Sequence, residues 1–262
     1  METPVSLPPF APGSVWLVGA GPGDPGLLTL LALHALSEAD VVVYDALVDD
    51  AILALARGRR IDAGKRGGRP SPSQPDISRR LVALAREGLR VCRLKGGDPC
   101  LFGRGGEEAS ALVAAGIPYR LVPCITAAVG GLAYAGIPMT HRGINAAVAF
   151  VTGHAASGGL PDDVDWPALA RAAPVIVLYM ALTHLDAVAE RLRAAGRAAE
   201  TPVAVVSRAT TPAQRVLTTT LGACAADARA AAIEPPAIVV VGAVVELHRT
   251  LAWFAPMDAT AP

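Results

Sequence analysis

Arg93-Leu94-Lys95-Gly96-Gly97-Asp98-Pro99, followed after Cys100 by Leu101-Phe102-Gly103-Arg104-Gly105-Gly106-Glu107-Glu108, is the stretch that decides the fold. Ahead of it, Leu89-Arg90-Val91-Cys92 is short and apolar enough for a buried strand, and behind it Glu107 to Ala115 reads as a helix that Gly116 ends. A strand delivered into a glycine loop and then a helix is how α/β proteins build ligand sites at strand carboxyl ends. The adjacent glycines Gly96 and Gly97 allow main chain to approach a ligand closely, and Asp98 can accept hydrogen bonds from a hydroxyl or an ammonium. Taken alone, Gly-Gly-Asp-Pro is equally a turn. The flanking segments decide between the two.

On the amino-terminal side, Ser14 to Val18 reads as a first strand that runs into Gly19-Ala20-Gly21-Pro22-Gly23-Asp24-Pro25-Gly26, with a helix expected over Leu27 to Ser37. The loop has a superficial likeness to the dinucleotide fingerprint. Pro22 and Pro25, however, stand where that loop needs N–H groups facing a pyrophosphate, which argues for a ligand without phosphates and against a nicotinamide dehydrogenase. Asp40 to Tyr44 is the second strand, with Asp45 at its carboxyl end, either a site carboxylate or the cap of the next turn. A short helix over Asp49 to Ala56, a third strand near Ile61, the loop Gly64-Lys65-Arg66-Gly67-Gly68 and an amphipathic helix over Ile77 to Glu87 lead to the central strand. Tyr119 to Val122 is the fifth strand, ahead of an Ala/Gly-rich helix that ends at Ala135 and has room for close packing. Strand and helix alternating in this way predict a parallel sheet.

Gly136 to Gly143 interrupts the alternation. The expected division is a flexible leader over 1–13, an α/β domain over 14–138 and a second α/β domain over 139–262. In the second domain the expected strands are Ala147 to Thr152, Val175 to Tyr179, Val203 to Ser207, Arg215 to Thr220 and Ala237 to Val241. Their close succession near 203–220 suggests a mixed sheet. In a two-domain α/β protein the ligand site is expected in the cleft between the domains.

With 262 residues, 52% of them apolar, and balanced charge, the chain is expected to be a soluble globular protein. Zero net charge argues against nucleic acid or an anionic membrane as partner, and no apolar run approaches the ~20 residues of a membrane span. The amino terminus has no signal-peptide pattern. Four scattered cysteines without a Cys-x-x-Cys pair fit a reducing cytoplasm, and no metal-ligand spacing occurs. Only two of the 23 basic residues are lysine, Lys65 and Lys95, and both lie in glycine-rich loops. Lysine can change protonation state near neutral pH, whereas arginine cannot.

Together, the loops 18–25, 44–48, 64–66, 93–108 and 123–127 resemble the S-adenosylmethionine-dependent tetrapyrrole methyltransferases. The combination Gly-Lys-Arg-Gly-Gly, Arg-Leu-Lys-Gly-Gly-Asp-Pro and Phe-Gly-Arg-Gly-Gly-Glu-Glu is similar to the branch that acts on uroporphyrinogen III. The likeness runs from Ser14 to Trp253. It implies a two-domain α/β enzyme, commonly a homodimer, that methylates C2 and C7 of uroporphyrinogen III to precorrin-2 on the route to sirohaem or cobalamin. S-adenosylmethionine is the implied donor and S-adenosylhomocysteine the product, with no metal. By the resemblance, Pro22, Gly96, Gly97, Asp98, Leu101, Thr126, Ala127, Met180, Ala209 and Ala237 fall on donor-binding positions. Asp45, Lys65 and Arg93 fall on positions tied to substrate handling and proton transfer. The substrate's carboxylates need cations, for which Arg93, Arg66 and Arg104 are the candidates, with Met180 also at the substrate. Cys124 stands where the family generally has glycine, and Cys100 where it has phenylalanine. The alternatives are a methyltransferase of a later corrin precursor or a non-catalytic donor-binding protein. The chain is expected to carry no appended dehydrogenase–ferrochelatase segment.

Overall fold

The computed structural model describes residues 5–64, 73–155 and 158–255. Residue contacts divide the chain into two units, Met1–Thr126 and Ala127–Pro262.

The first unit is a five-stranded sheet of β1 (Val15–Gly19), β2 (Val41–Tyr44), β3 (Arg59–Asp62), β4 (Val91–Lys95) and β5 (Tyr119–Val122), in the order β3-β2-β4-β1-β5. Every pairing in it is parallel. Strands covered on both faces need apolar residues at every position, and β1, β4 and most of β2 are buried throughout. Alternation still sorts their side chains. Trp16 and Val18 pack with Leu36 and Ile52 on one face, and Val15 and Leu17 pack with Leu81, Leu84 and Leu112 on the other.

The helices of this unit are α1 (Leu30–Glu38), α2 (Asp50–Leu53), α3 (Gln74–Arg86) and α4 (Gly105–Ala114). Helix α1 starts later than the apolar pattern predicts. Residues Pro25–Leu27 form a 3-10 turn capped by Asp24, and the Thr29 hydroxyl then accepts from Ala32 N at 3.1 Å to open the helix. Ser73 and Asp76 form a reciprocal capping box on α3. The stretch expected to be a flexible leader is packed in part: Phe10 is buried and stacks on Trp16, and the Pro8 carbonyl lies 3.0 Å from His34 Nε2.

The second unit is a mixed sheet of β6 (Val148–Thr152), β7 (Val175–Tyr179), β8 (Pro202–Ser207), β9 (Arg215–Thr220) and β10 (Ala237–Val241), ordered β6-β7-β10-β8-β9. β6 and β7 are parallel and the remaining pairs antiparallel. Its helices are α5 (Ala127–Tyr134), α6 (Trp166–Ala172), α7 (Leu185–Ala194), α8 (Cys224–Ala230) and α9 (His248–Leu251). Contacts place α5 in this unit, ahead of the 138/139 division expected from sequence. Its glycines explain why: a Cβ on Gly131 would sit 2.8 Å from the Ala209 Cβ, so helix and sheet approach closer than larger residues allow. Short 3-10 turns precede two of them, Leu182–His184 before α7 and Ala243–Leu247 before α9. Among the described residues no helix is long and apolar enough to cross a membrane.

Candidate active site

The carboxyl ends of β4, β1 and β5 lie side by side in the first sheet, and their loops are laced together. Ala20 N donates to Lys95 O at 2.8 Å, while Gly21 and Gly97 exchange main-chain hydrogen bonds at 3.1 and 2.8 Å. Gly97 has φ +67°, the left-handed conformation that side chains disfavour. Gly19 has no room for a side chain, because a Cβ there would lie 2.5 Å from the Cys124 Cβ and 2.6 Å from Gly97 O. Asp98 ties the loops from inside. Its Oδ1 accepts from Cys100 N at 2.8 Å and Leu101 N at 3.2 Å, and its Oδ2 accepts from Cys124 N at 3.0 Å.

Beside this platform lies a network of buried charge. Arg93, 1% exposed at the centre of β4, donates from Nε to Glu108 Oε1 at 3.0 Å and from NH2 to Asp45 Oδ1. Its NH1 lies 3.4 Å from the carbonyls of Val43 and Leu94. Lys95, two residues on and facing the same side of the strand, places Nζ 3.1 Å from Glu108 Oε1 and 3.7 Å from Asp45 Oδ2. Burial works against the Arg93 charge, but Asp45 and Glu108 outweigh it and raise its pKa above the usual arginine value. Asp45 is the member that reaches the surface, its side chain 30% exposed.

This geometry describes the surroundings of the candidate residues. The Arg93 guanidinium is buried and paired with Asp45 and Glu108. The helix that follows, α2, is capped by Asp49, which accepts from Ala51 N at 2.9 Å. Arg104 is bound by Glu107 through Nε at 2.8 Å and NH2 at 2.7 Å, and it lines a groove between α3 and α4, outside the charge network. Lys65 and Arg66 lie outside the described residues.

In the second unit, Met180 follows β7, Ala209 follows β8 and Ala237 opens β10. The antiparallel registers Ile238↔Tyr179 and Ala237↔Ser207 bring all three to one end of the sheet. Met180 has φ +52° and is half exposed, and a strained backbone at a surface position is the kind of outlier that marks a functional site. The start of α5 reaches the same end, with Ala128 N donating to the Tyr179 hydroxyl at 3.1 Å. Pro22 is half-buried in the loop after β1, and Thr126-Ala127 leads into α5.

Sequence reasoning left Glu108 out of the site and noted Lys95 only as one of two lysines beside glycine loops. The signal available was Glu107-Glu108 in the first turn of a helix, one of them fully buried, and charged residues are almost never buried without partners. Cys124, the departure from the family pattern, is not among the described residues with positive φ. Its backbone therefore does not call for glycine, and its side chain fills the space against Gly19.

The platform presents main chain and small side chains beside Phe102, which is 38% exposed, while the cations Arg93 and Lys95 are turned inward to carboxylates. Such a surface suits a nucleoside sulfonium better than a phosphate-bearing cofactor, which needs cations or free N–H groups. S-adenosylmethionine fits the residues present.

Residues 14–225 match the family model described as Tetrapyrrole (Corrin/Porphyrin) Methylases. A uroporphyrinogen-III C-methyltransferase of Sinorhizobium sp is 60% identical over 254 residues, 96% of this chain and 91% of that one. Siroheme synthase 1 of Yersinia enterocolitica is 50% identical over 95% of this chain, which spans 52% of that protein's length. Among solved structures, the uroporphyrin-III C-methyl transferase of Thermus thermophilus, complexed with S-adenyl homocysteine, superposes with a TM-score of 0.78 at 41% identity, covering 89% of this chain and 99% of that one. A family model spanning most of the chain, with two relatives matched over 91% and 99% of their length, leads to one conclusion: the chain belongs to the tetrapyrrole methylase family.

Proposed function

We propose that the chain transfers two methyl groups in succession from S-adenosylmethionine to uroporphyrinogen III, at C2 and then C7, giving precorrin-2 for sirohaem or cobalamin synthesis. The observation that carries this reading is 60% identity over 96% of the chain to a uroporphyrinogen-III C-methyltransferase. Bound donor supplies a methyl already activated by the sulfonium. The reduced macrocycle supplies a nucleophilic pyrrole carbon, so the protein's work is to align carbon and methyl, exclude water and take up the proton released afterwards.

The residues divide that work. Pro22, Gly96, Gly97, Asp98, Leu101, Thr126, Ala127, Met180, Ala209 and Ala237 are the proposed donor contacts. Asp45 is the proposed proton acceptor: its carboxylate is held by Arg93 yet part exposed, so it can be positioned and still meet substrate. Lys65 is proposed as proton donor or charge partner. Arg66, Arg104 and Met180 are proposed for the macrocycle, whose acidic side chains call for guanidinium groups. Release of Arg104 from Glu107 is cheap, because that pair is solvent-exposed. A homodimer in the cytoplasm completes the reading.

Mass spectrometry of the product formed from uroporphyrinogen III and methyl-labelled donor tests it. Two labels on the macrocycle, with activity retained in excess chelator, are expected. A singly labelled end product, an unlabelled one, or strict dependence on a divalent ion overturns it.

A further inference from the structure

Glu108 is the deepest member of the charge network, fully buried on the first turn of α4. Its Oε1 receives Gln74 Nε2 at 2.9 Å, Arg93 Nε at 3.0 Å and Lys95 Nζ at 3.1 Å. Its Oε2 is buried and has no hydrogen-bond partner among the described residues. Stability does not account for such an arrangement. A buried acceptor left unsatisfied is unfavourable, and buried ion clusters are often no more stable than apolar packing of the same volume. What the cluster does supply is fixed geometry.

The four charges form a closed ring in which Arg93 bridges Glu108 to Asp45 and Lys95 bridges them again on the other side. Glu108 thus balances the pull of the two cations on Asp45. With Glu108 neutral, both cations would have Asp45 as their anion and draw its carboxylate inward, away from the surface.

We propose that Glu108 is a positioning residue of the methyl-transfer reaction, setting the place of the Asp45 carboxylate through Arg93 and Lys95. This rests on the reading of Asp45 as proton acceptor. The ring makes the role one of charge balance, so a second neutralisation on the cationic side should restore part of what the first removes. Without Lys95 and the Glu108 charge, Asp45 and Arg93 remain as a simple pair.

Glu108→Gln, Lys95→Met and the double variant test this. In donor-free protein, Lys95→Met alone should melt below the parent yet the double variant should melt above Glu108→Gln, a combination that additive effects would not give. S-adenosylhomocysteine affinity by calorimetry should stay within about threefold for all three, because none of these side chains belongs to the loop platform. For Glu108→Gln, kcat should fall about tenfold or more with KM for uroporphyrinogen III within about threefold, part of the ~10²–10⁴ that a positioned base contributes. The double variant should recover at least about threefold of that loss. A folded Glu108→Gln with near-normal kcat, a loss lodged in KM or in homocysteine-nucleoside affinity, or a double variant no better than the single one overturns the proposal. If Glu108→Gln does not fold, a folded double variant supports charge balance and an unfolded one overturns it. Asp45→Asn separates the two readings: retained kcat there refutes Asp45 as acceptor, whereas its loss alongside an active Glu108→Gln refutes only the role of Glu108.

Discussion

The backbone N–H of Cys124 donates to Oδ2 of Asp98 at 3.0 Å, so the loop after β5 is fastened to the loop after β4 by a single carboxylate. The other oxygen of Asp98 already holds Cys100 N and Leu101 N. An ionised carboxylate has about four acceptor positions, which leaves about one for a bound hydroxyl or ammonium. Asp98 is therefore a loop tie, with about one acceptor position left for the donor contact proposed above.

Asp98→Ala should lower both the melting temperature and the affinity for S-adenosylhomocysteine. One lost charge-assisted hydrogen bond is worth about 1.5–3 kcal/mol, roughly ten- to over a hundredfold in affinity. Calorimetry and a thermal melt check this, and weaker binding at an unchanged melting temperature would show that the tie carries no structural weight.

Arg93→Leu should be destabilised by about 3–5 kcal/mol, since it leaves Asp45 and the fully buried Glu108 without their shared guanidinium. Activity should be lost while homocysteine-nucleoside binding by the folded fraction survives. Urea unfolding alongside calorimetry reads both. A variant as stable as the parent would mean that the ion pairs in the β4 interior are energetically idle.

Cys124→Gly should destabilise by about 0.4–1 kcal/mol through the freedom that glycine adds to the unfolded chain, because the native backbone does not need glycine there. Donor affinity should change less than about threefold. The same change should not rescue Gly19→Ala, whose new methyl would still lie 2.6 Å from Gly97 O. A rise in melting temperature for Cys124→Gly would expose strain at this position.

Thiol labelling should follow burial. Burial raises the Cys92 thiol to about 12 and the Cys224 thiol to about 11. Raised values mean little thiolate near pH 8, so both should label only on unfolding. Cys100 is exposed and should react first, with the half-buried Cys124 slower. Early labelling of Cys92 in native protein would contradict its place inside β4.

The alternation of strands and helices was readable because each strand is a short, apolar run bounded by glycine or proline, as at Val15–Gly19 and Val175–Tyr179. The glycine loops likewise marked the platform. What the sequence could not show is orientation. Arg93 at a strand end looked available to a ligand, but strand alternation alone does not say whether a long side chain finds a carboxylate from another element, and Glu108 lies on a helix fifteen positions away. Helix starts shifted for a local reason, since capping by Thr29 competes with an apolar pattern that begins at Leu27. Helix α5 went to the second unit because close packing at Gly131 depends on a partner, Ala209, that no local pattern reveals.

The lacing of the β1, β4 and β5 loops has a kinetic consequence. Val15 pairs with both Val91 and Tyr119, so the platform is built from segments that are remote along the chain and meet only when long loops close. No early fragment of the first unit can hold the arrangement, and it should be among the last features to form and the first lost on opening of the sheet. The amide protons of Gly21, Gly97 and Cys124 should then exchange with solvent at one common, slow rate, that of the whole unit opening, and occupancy of the site should slow all three together.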